Sequence, residues 1–333
     1  MNEYLKSCQA SLIGFVSLLI LVFLLAFTAL ARAAESETLN FGIISTESSQ
    51  SLRKIWEPFI EDMKKQTGLN IKAFFATDYA GIIEGMRFNK VQLAWYGNKA
   101  AMEAVDRAQG QVFMQTVNYD GSDGYYSHLI AHKDSPLTSI EDMFEDSENL
   151  IFANGDPNST SGFLVPSYYV FAVNKVDPKT AFKRSLNSNH EANALSVANR
   201  QVDVATCNSE ALERLSITFP DKRKEVKVIW TSPLIPSDPL VWREDLDPAV
   251  KRKIEAFLHG YGQAGPEQER QLQVLKALQG KGFQKSTDKR LNPIRQLELF
   301  KEKSKLESSG EINEARQERL AEIEKKLAEL EAD

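Results

Sequence analysis

Cysteine is almost missing from this chain: Cys8 and Cys207 are the only two in 333 residues. Cys8 precedes a long apolar run that reads as removable, so a disulfide framework is excluded and stability has to come from burial. No Cys-x-x-Cys pair is present, which removes the usual thiolate zinc site. No Gly-Lys-Ser/Thr follows a loop, so there is no P-loop, and Gly-x-Ser-x-Gly is absent, so there is no nucleophile elbow. His128 and His132 are four residues apart. Their segment reads as a strand, which would hold them roughly 13 Å apart, so no metal site is expected. Carboxylates are plentiful, but nothing pairs them for acid–base work. Neither catalysis nor a cofactor is therefore expected. A basic excess is missing too: 40 Lys and Arg against 46 Asp and Glu give a net charge of −6, which excludes a nucleic-acid-binding balance. After the N-terminal apolar run no second one of membrane length follows.

That first run is the clearest compositional feature present. Lys6 precedes it, residues 11–30 are apolar, and Ala31-Arg32-Ala33 fits a small-x-small cleavage pattern. Residues 1–33 read as a signal peptide cleaved after Ala33, with an uncleaved anchor as the alternative. Beyond it, strand-like and helix-like segments alternate. Residues 39–44 read as a strand, 51–65 as an amphipathic helix, 71–75 as a strand, 79–88 as a helix and 93–96 as a buried strand. The alternation resumes at 126–131, 151–153, 190–199 and 202–207. This pattern predicts an α/β fold with parallel pairing. Extended segments at 125–133 and 230–242 flank the central block. They predict two crossings between a discontinuous first lobe (38–126 and 238–300) and a second lobe (127–237), with a hinge and a cleft. The tail, 301–333, places Leu320, Ile323, Leu327 and Leu330 at 3-4-3 spacing. It reads as a helix packed on its own lobe or as a homodimer contact.

The most informative stretch is Asp156-Pro157-Asn158-Ser159-Thr160-Ser161-Gly162. It follows the strand-like Leu150-Ile151-Phe152 and precedes a helix-like run over 163–172. One hydroxyl suffices to cap a helix; three in a row beside Gly155 and Gly162 point to a ligand. Free amides and the helix dipole at such an N-terminus favour an oxyanion. Tyr79, in Asp78-Tyr79-Ala80-Gly81, opens another helix after a strand, where ligands bind in open α/β sheets. Tyr125 lies at the first crossing and Asp238 at the second; His190 opens a further helix, and Glu210 follows a strand and Cys207-Asn208-Ser209. Each has an ordinary reading as a cap, a turn-former or a surface group.

Together these segments resemble the phosphonate-binding periplasmic proteins of phosphonate ABC importers. The resemblance is carried by Leu39-Asn40-Phe41-Gly42-Ile43-Ile44-Ser45-Thr46-Glu47, Asp78-Tyr79-Ala80-Gly81-Ile82-Ile83, Ala94-Trp95-Tyr96-Gly97-Asn98, residues 155–166 and Ser232-Pro233-Leu234-Ile235-Pro236. It covers about residues 38–300 and implies a type II periplasmic-binding fold, two α/β lobes joined by a hinge. By resemblance, Ser159, Thr160 and Ser161 would hold the phosphonate oxygens, with hydrogen bonds from Tyr79 and Tyr125 and a contact from His190. Glu210 and Asp238 would receive the amino group of a ligand such as 2-aminoethylphosphonate. The implied partners are a membrane permease and its ATPase, and the implied location is the periplasm. A receptor of the same fold tuned to phosphate or phosphite is the alternative; an exported phosphoester hydrolase lacks a nucleophile with a base.

Overall fold

The computed structural model describes residues 38–119, 121–308 and 313–332. The signal peptide and its cleavage after Ala33 lie outside the described residues. Strands β1 (Leu39–Ile43), β2 (Ile71–Phe75), β3 (Leu93–Trp95) and β4 (Gly110–Asn118) come first, and β5 (Gly124–Tyr125) follows. Next are β6 (Ser127–His132), β7 (Ile151–Asn154), β8 (Arg184–Asn187), β9 (Val204–Asn208) and β10 (Val226–Thr231). The last three are β11 (Ile235–Pro236), β12 (Pro239–Arg243) and β13 (Gly280–Lys285). They sort into a six-stranded sheet, β13-β4-β12-β3-β1-β2, and a five-stranded sheet, β10-β6-β9-β7-β8. A two-stranded ribbon of β5 and β11 carries the chain between them in both directions.

The pairing is mixed rather than parallel throughout. β1 runs parallel to β2 and β3, and β7 parallel to β8 and β9. β12 is antiparallel to both β3 and β4, and β6 to both β9 and β10. The ribbon explains this. The chain leaves the first sheet through β5 and returns through β11 alongside it, so the strands on either side, β4 and β12, meet head to tail. The ribbon is tight: a Cβ on Gly124 would stand 2.0 Å from the Ile235 carbonyl oxygen. Glycine is required there by close approach of the two backbones.

Central strands buried at successive positions and apolar stripes on the helices build one core cluster on the first sheet and two on the second. Under the first sheet Phe59, fully buried, packs against Phe41 and Tyr261 with ring centroids 6.4 and 5.1 Å apart. Burying each such ring contributes roughly 1.5–3 kcal/mol. Ile130, Ala205 and Val197 centre a core cluster on the second sheet, and Phe152 with Phe171 another. Two elements join the blocks. Leu164 and Val165, which follow β7, belong to the first sheet's core. The helix Asn292–Ser308 lies against the helical turns at Ser167–Ala172, where Tyr168 meets Phe300 at 6.0 Å.

The heptad-like tail forms the helix Glu314–Ala332, which folds back on Asn292–Ser308 and buries Ile323 and Leu327 within the chain. Among the described residues no helix is long and apolar enough to cross a membrane.

Candidate functional site

Four helical segments each follow a strand and are capped by a short polar side chain. Asp78 accepts from the Gly81 N–H at 2.8 Å, ahead of the helix Tyr79–Arg87. Ser159 accepts from the Gly162 N–H at 2.9 Å. Asn189 accepts from Ala192 at 2.9 Å and Asn208 from Ala211 at 2.7 Å, ahead of the helices His190–Ala198 and Ser209–Thr218. Each cap satisfies one of the free N–H groups and leaves the rest of the first turn's positive end available.

The hydroxyl run opens a helical segment of unusual winding. Thr160–Leu164 and Ser167–Ala172 are π-helical rather than α-helical. The expected helix over 163–172 therefore starts three residues early, at Thr160. Pro166 falls between the two π turns, and its missing N–H is a physical reason for the wider winding there. The loop before the run folds tightly: the Gly155 N–H donates to the Gly162 carbonyl at 2.9 Å.

The predicted site residues come together in one buried cluster. Ser159 Oγ and Ser161 Oγ each lie 3.4 Å from His190 Nε2. The Tyr79 hydroxyl shares a hydrogen bond with Ser159. Thr160 Oγ1 accepts from the Lys99 N–H at 2.8 Å, which ties the hydroxyl run to the helix Asn98–Arg107 of the first sheet. Tyr125 donates to Asp238 Oδ1 at 2.9 Å. Tyr79, Tyr125, the three hydroxyl residues, His190 and Asp238 are all buried, and Glu210 is partly so. Of the adjacent tyrosines, Tyr125 faces inward and Tyr126 is 41% exposed.

Burial sets the protonation states. It drives the Tyr79 and Tyr125 hydroxyls up, so both remain hydrogen-bond donors. It pushes His190 down to about 3, with Arg214's charge adding to the effect, so the imidazole is neutral. Asp238 rises well above the carboxylate range through burial and then through Glu210; Glu210 rises through burial, opposed first by Arg214.

Sequence reasoning missed a second layer. Arg214 donates to Glu47 and to Gln279 Oε1. Burial works against its charge, but Glu47 and Glu210 outweigh it and hold the guanidinium above its ordinary value. Asn208 donates to Ser161 Oγ at 3.2 Å, Asn98 to the Pro236 carbonyl at 2.7 Å, and Asp156 accepts from the Tyr79 N–H at 3.2 Å. The one legible signal was the Glu210/Arg214 spacing of four on a helix. The others are cap and loop residues whose ordinary roles hide their position.

This is a cradle of neutral donors at helix ends facing two carboxylates. A family model described as the periplasmic substrate-binding protein of phosphonate ABC transporters matches residues 41–291. The chain belongs to that family. It is similar to the phosphonates-binding periplasmic protein of Escherichia coli K12, 56% identical over 301 residues, covering 90% of this chain and 87% of that one. A solved binding component of an ABC phosphonate transporter from Pseudomonas aeruginosa is 57% identical, covers 90% of this chain and 98% of its own, and superposes with a TM-score of 0.86. A phosphate-import protein of Mycolicibacterium smegmatis is 28% identical over 231 residues, 66% of this chain and 71% of that one. The fold is accordingly the type II periplasmic-binding fold of these phosphonate receptors. Family members are the substrate-binding components of importers, and the protein is a receptor rather than an enzyme.

Proposed function

We propose that this receptor binds aminoalkylphosphonates such as 2-aminoethylphosphonate, with the phosphonate on Ser159, Thr160, Ser161, Tyr79, Tyr125 and His190 and the ammonium on Glu210 and Asp238. The charge balance carries the reading. Glu47, Glu210 and Asp238 stand around one largely buried cation, Arg214, which Glu47 already engages, and the Glu210 and Asp238 carboxyls are raised by burial, Asp238 further by the charge of Glu210. Such a surplus is relieved by a ligand that brings its own positive charge. A phosphonate dianion in turn wants several charge-assisted hydrogen bonds, which the hydroxyls and amides supply. Phosphate or phosphite would satisfy the cradle and leave the carboxylates unpaired, a cost of several kcal/mol.

The two sheets with their helices act as lobes, residues 38–126 with 238–300 and residues 127–237, hinged at the β5–β11 ribbon. Ligand contacts from both lobes shift the equilibrium toward closure. The mature receptor, exported and cleaved after Ala33, passes its ligand to a membrane permease driven by an ATPase. A homodimer through the C-terminal helix has less to draw on, since Ile323 and Leu327 are already covered within the chain. Parallel calorimetric titrations with 2-aminoethylphosphonate, methylphosphonate, phosphate and phosphite test the reading. Glu210→Gln is expected to weaken the aminophosphonate at least tenfold and methylphosphonate little. Equal losses would remove the amine from Glu210, and tighter phosphate or phosphite binding would reassign the ligand.

A further inference from the structure

Beside Glu210 lies a cavity of about 30 Å³. Thr46, Glu210, Arg214 and Gln279 form its polar end; Leu52, Trp56, Trp95 and Leu278 are among its apolar walls. Glu210 lies in the wall; Asp238 stands one residue behind it, its main-chain carbonyl accepting from the N–H of Thr116, another wall residue, at 3.0 Å. Two polar groups at its rim are buried without a hydrogen-bond partner in the protein: the Thr46 hydroxyl and Gln279 Nε2. Thr46 is 4% exposed and Gln279 7%. The orientation of the Gln279 amide is fixed by its other end, since Oε1 accepts from Arg214. Unpartnered buried donors of this kind are uncommon and costly.

We propose that this cavity is a second subsite, which takes a short hydroxyl-bearing branch on the amino end of an aminoalkylphosphonate. Size limits the branch, because a cavity of this volume holds roughly two waters, or one hydroxymethyl group. Charge limits it further. Arg214 is already engaged by Glu47 and flanked by Glu210, so a carboxylate branch would find no free cation there. A hydroxyl oxygen accepts from Gln279 Nε2 and exchanges a hydrogen bond with Thr46, while its methylene lies against the apolar wall. The proposal rests on the amine reading of Glu210 and Asp238.

The test is calorimetric titration of the full mature receptor with three probes: 2-aminoethylphosphonate, 2-aminopropylphosphonate and 2-amino-3-hydroxypropylphosphonate. The hydroxyl compound is expected to bind at least tenfold tighter than its methyl counterpart, because a site built to hydrogen-bond a hydroxyl penalises its loss. Thr46→Val should remove most of that ratio and leave 2-aminoethylphosphonate within about twofold. Leu278→Trp, which fills the cavity from its wall, should weaken both branched compounds and spare the parent. Equal binding of the hydroxyl and methyl compounds would overturn the subsite, as would a ratio unchanged in Thr46→Val or branched ligands far weaker than the parent. Failure of 2-aminoethylphosphonate itself to bind would instead overturn the amine reading, so the two failures are distinguishable.

Discussion

At the scale of single residues, the site holds side chains in states that cost stability before a ligand arrives. Asp238 is the clearest. Burial and Glu210 raise its carboxyl well above the ordinary value of 3.8. The folded chain therefore keeps a proton that the unfolded chain has lost, and its relative stability falls as pH rises through the raised value. Asp238→Asn keeps an oxygen for the Tyr125 hydroxyl and removes this penalty. Thermal melts of the ligand-free protein should show the variant more stable by about 1–3 kcal/mol at pH 8, with a smaller gain at pH 5. The same variant should lose aminophosphonate affinity at least tenfold. No gain at pH 8 would mean that the carboxyl is not strained. His190 has the opposite sign. It is held neutral down to about 3, while the unfolded chain takes a proton near 6.5, so stability falls as pH drops across that window. The imidazole resonances of His190 in the ligand-free protein should show no titration between pH 5 and 8; a midpoint near 6.5 would place the ring in water.

At the scale of elements, the loop from β7 into the π turns is the least tolerant part of the site. A Cβ on Gly155 would stand 2.5 Å from backbone atoms of Gly162, with no flexible side chain to give way. Gly155→Ala should therefore push the hydroxyl run off its position. The expected result is a tenfold or greater loss for every phosphonate, with or without an amine, and destabilisation of about 2 kcal/mol in denaturant melts. Retained affinity would mean that the loop adapts. The same elements mark what the sequence could reveal. Strand-then-cap patterns at Asp78 and Asn189 are local, so the helix starts bearing Tyr79 and His190 could be read directly, whereas the segment at Thr160 begins three residues before the expected run and the helix bearing Glu210 was not read. The reversal of β4 and β12 was not legible, because it depends on two crossings 110 residues apart pairing as β5 and β11. Arg214 was hidden for the same reason: its partners Glu47 and Gln279 are 167 and 65 residues away. The 3-4-3 leucine spacing of the tail fits a partner chain and a neighbouring helix equally well. Only packing decides between them, and here Asn292–Ser308 supplies the partner for Ile323 and Leu327.

At the scale of the whole molecule, the Arg214 node ties the two sheets together. Glu47 follows β1 and Gln279 precedes β13, both in the six-stranded sheet, whereas Arg214 rides on the helix between β9 and β10 of the other. Thr160 and Lys99 make a second tie across the same gap. In the proposed hinge motion both ties exist only while the lobes are together, and the Arg214 tie adds to closure without touching the phosphonate. Arg214→Ala would strip Glu47, 4% exposed, of its cation, and uncompensated burial of that charge costs about 3–5 kcal/mol. On the proposed hinge, opening returns Glu47 to water, so the penalty falls on the closed state. Stopped-flow measurements should show ligand release accelerated about a hundredfold or more, with 2-aminoethylphosphonate and methylphosphonate affected by similar factors. Asp238→Asn, by contrast, should change the ratio between the two ligands. A variant at Arg214 that shifts the ratio and spares the release rate would make the guanidinium part of the amine site instead of the latch between the lobes.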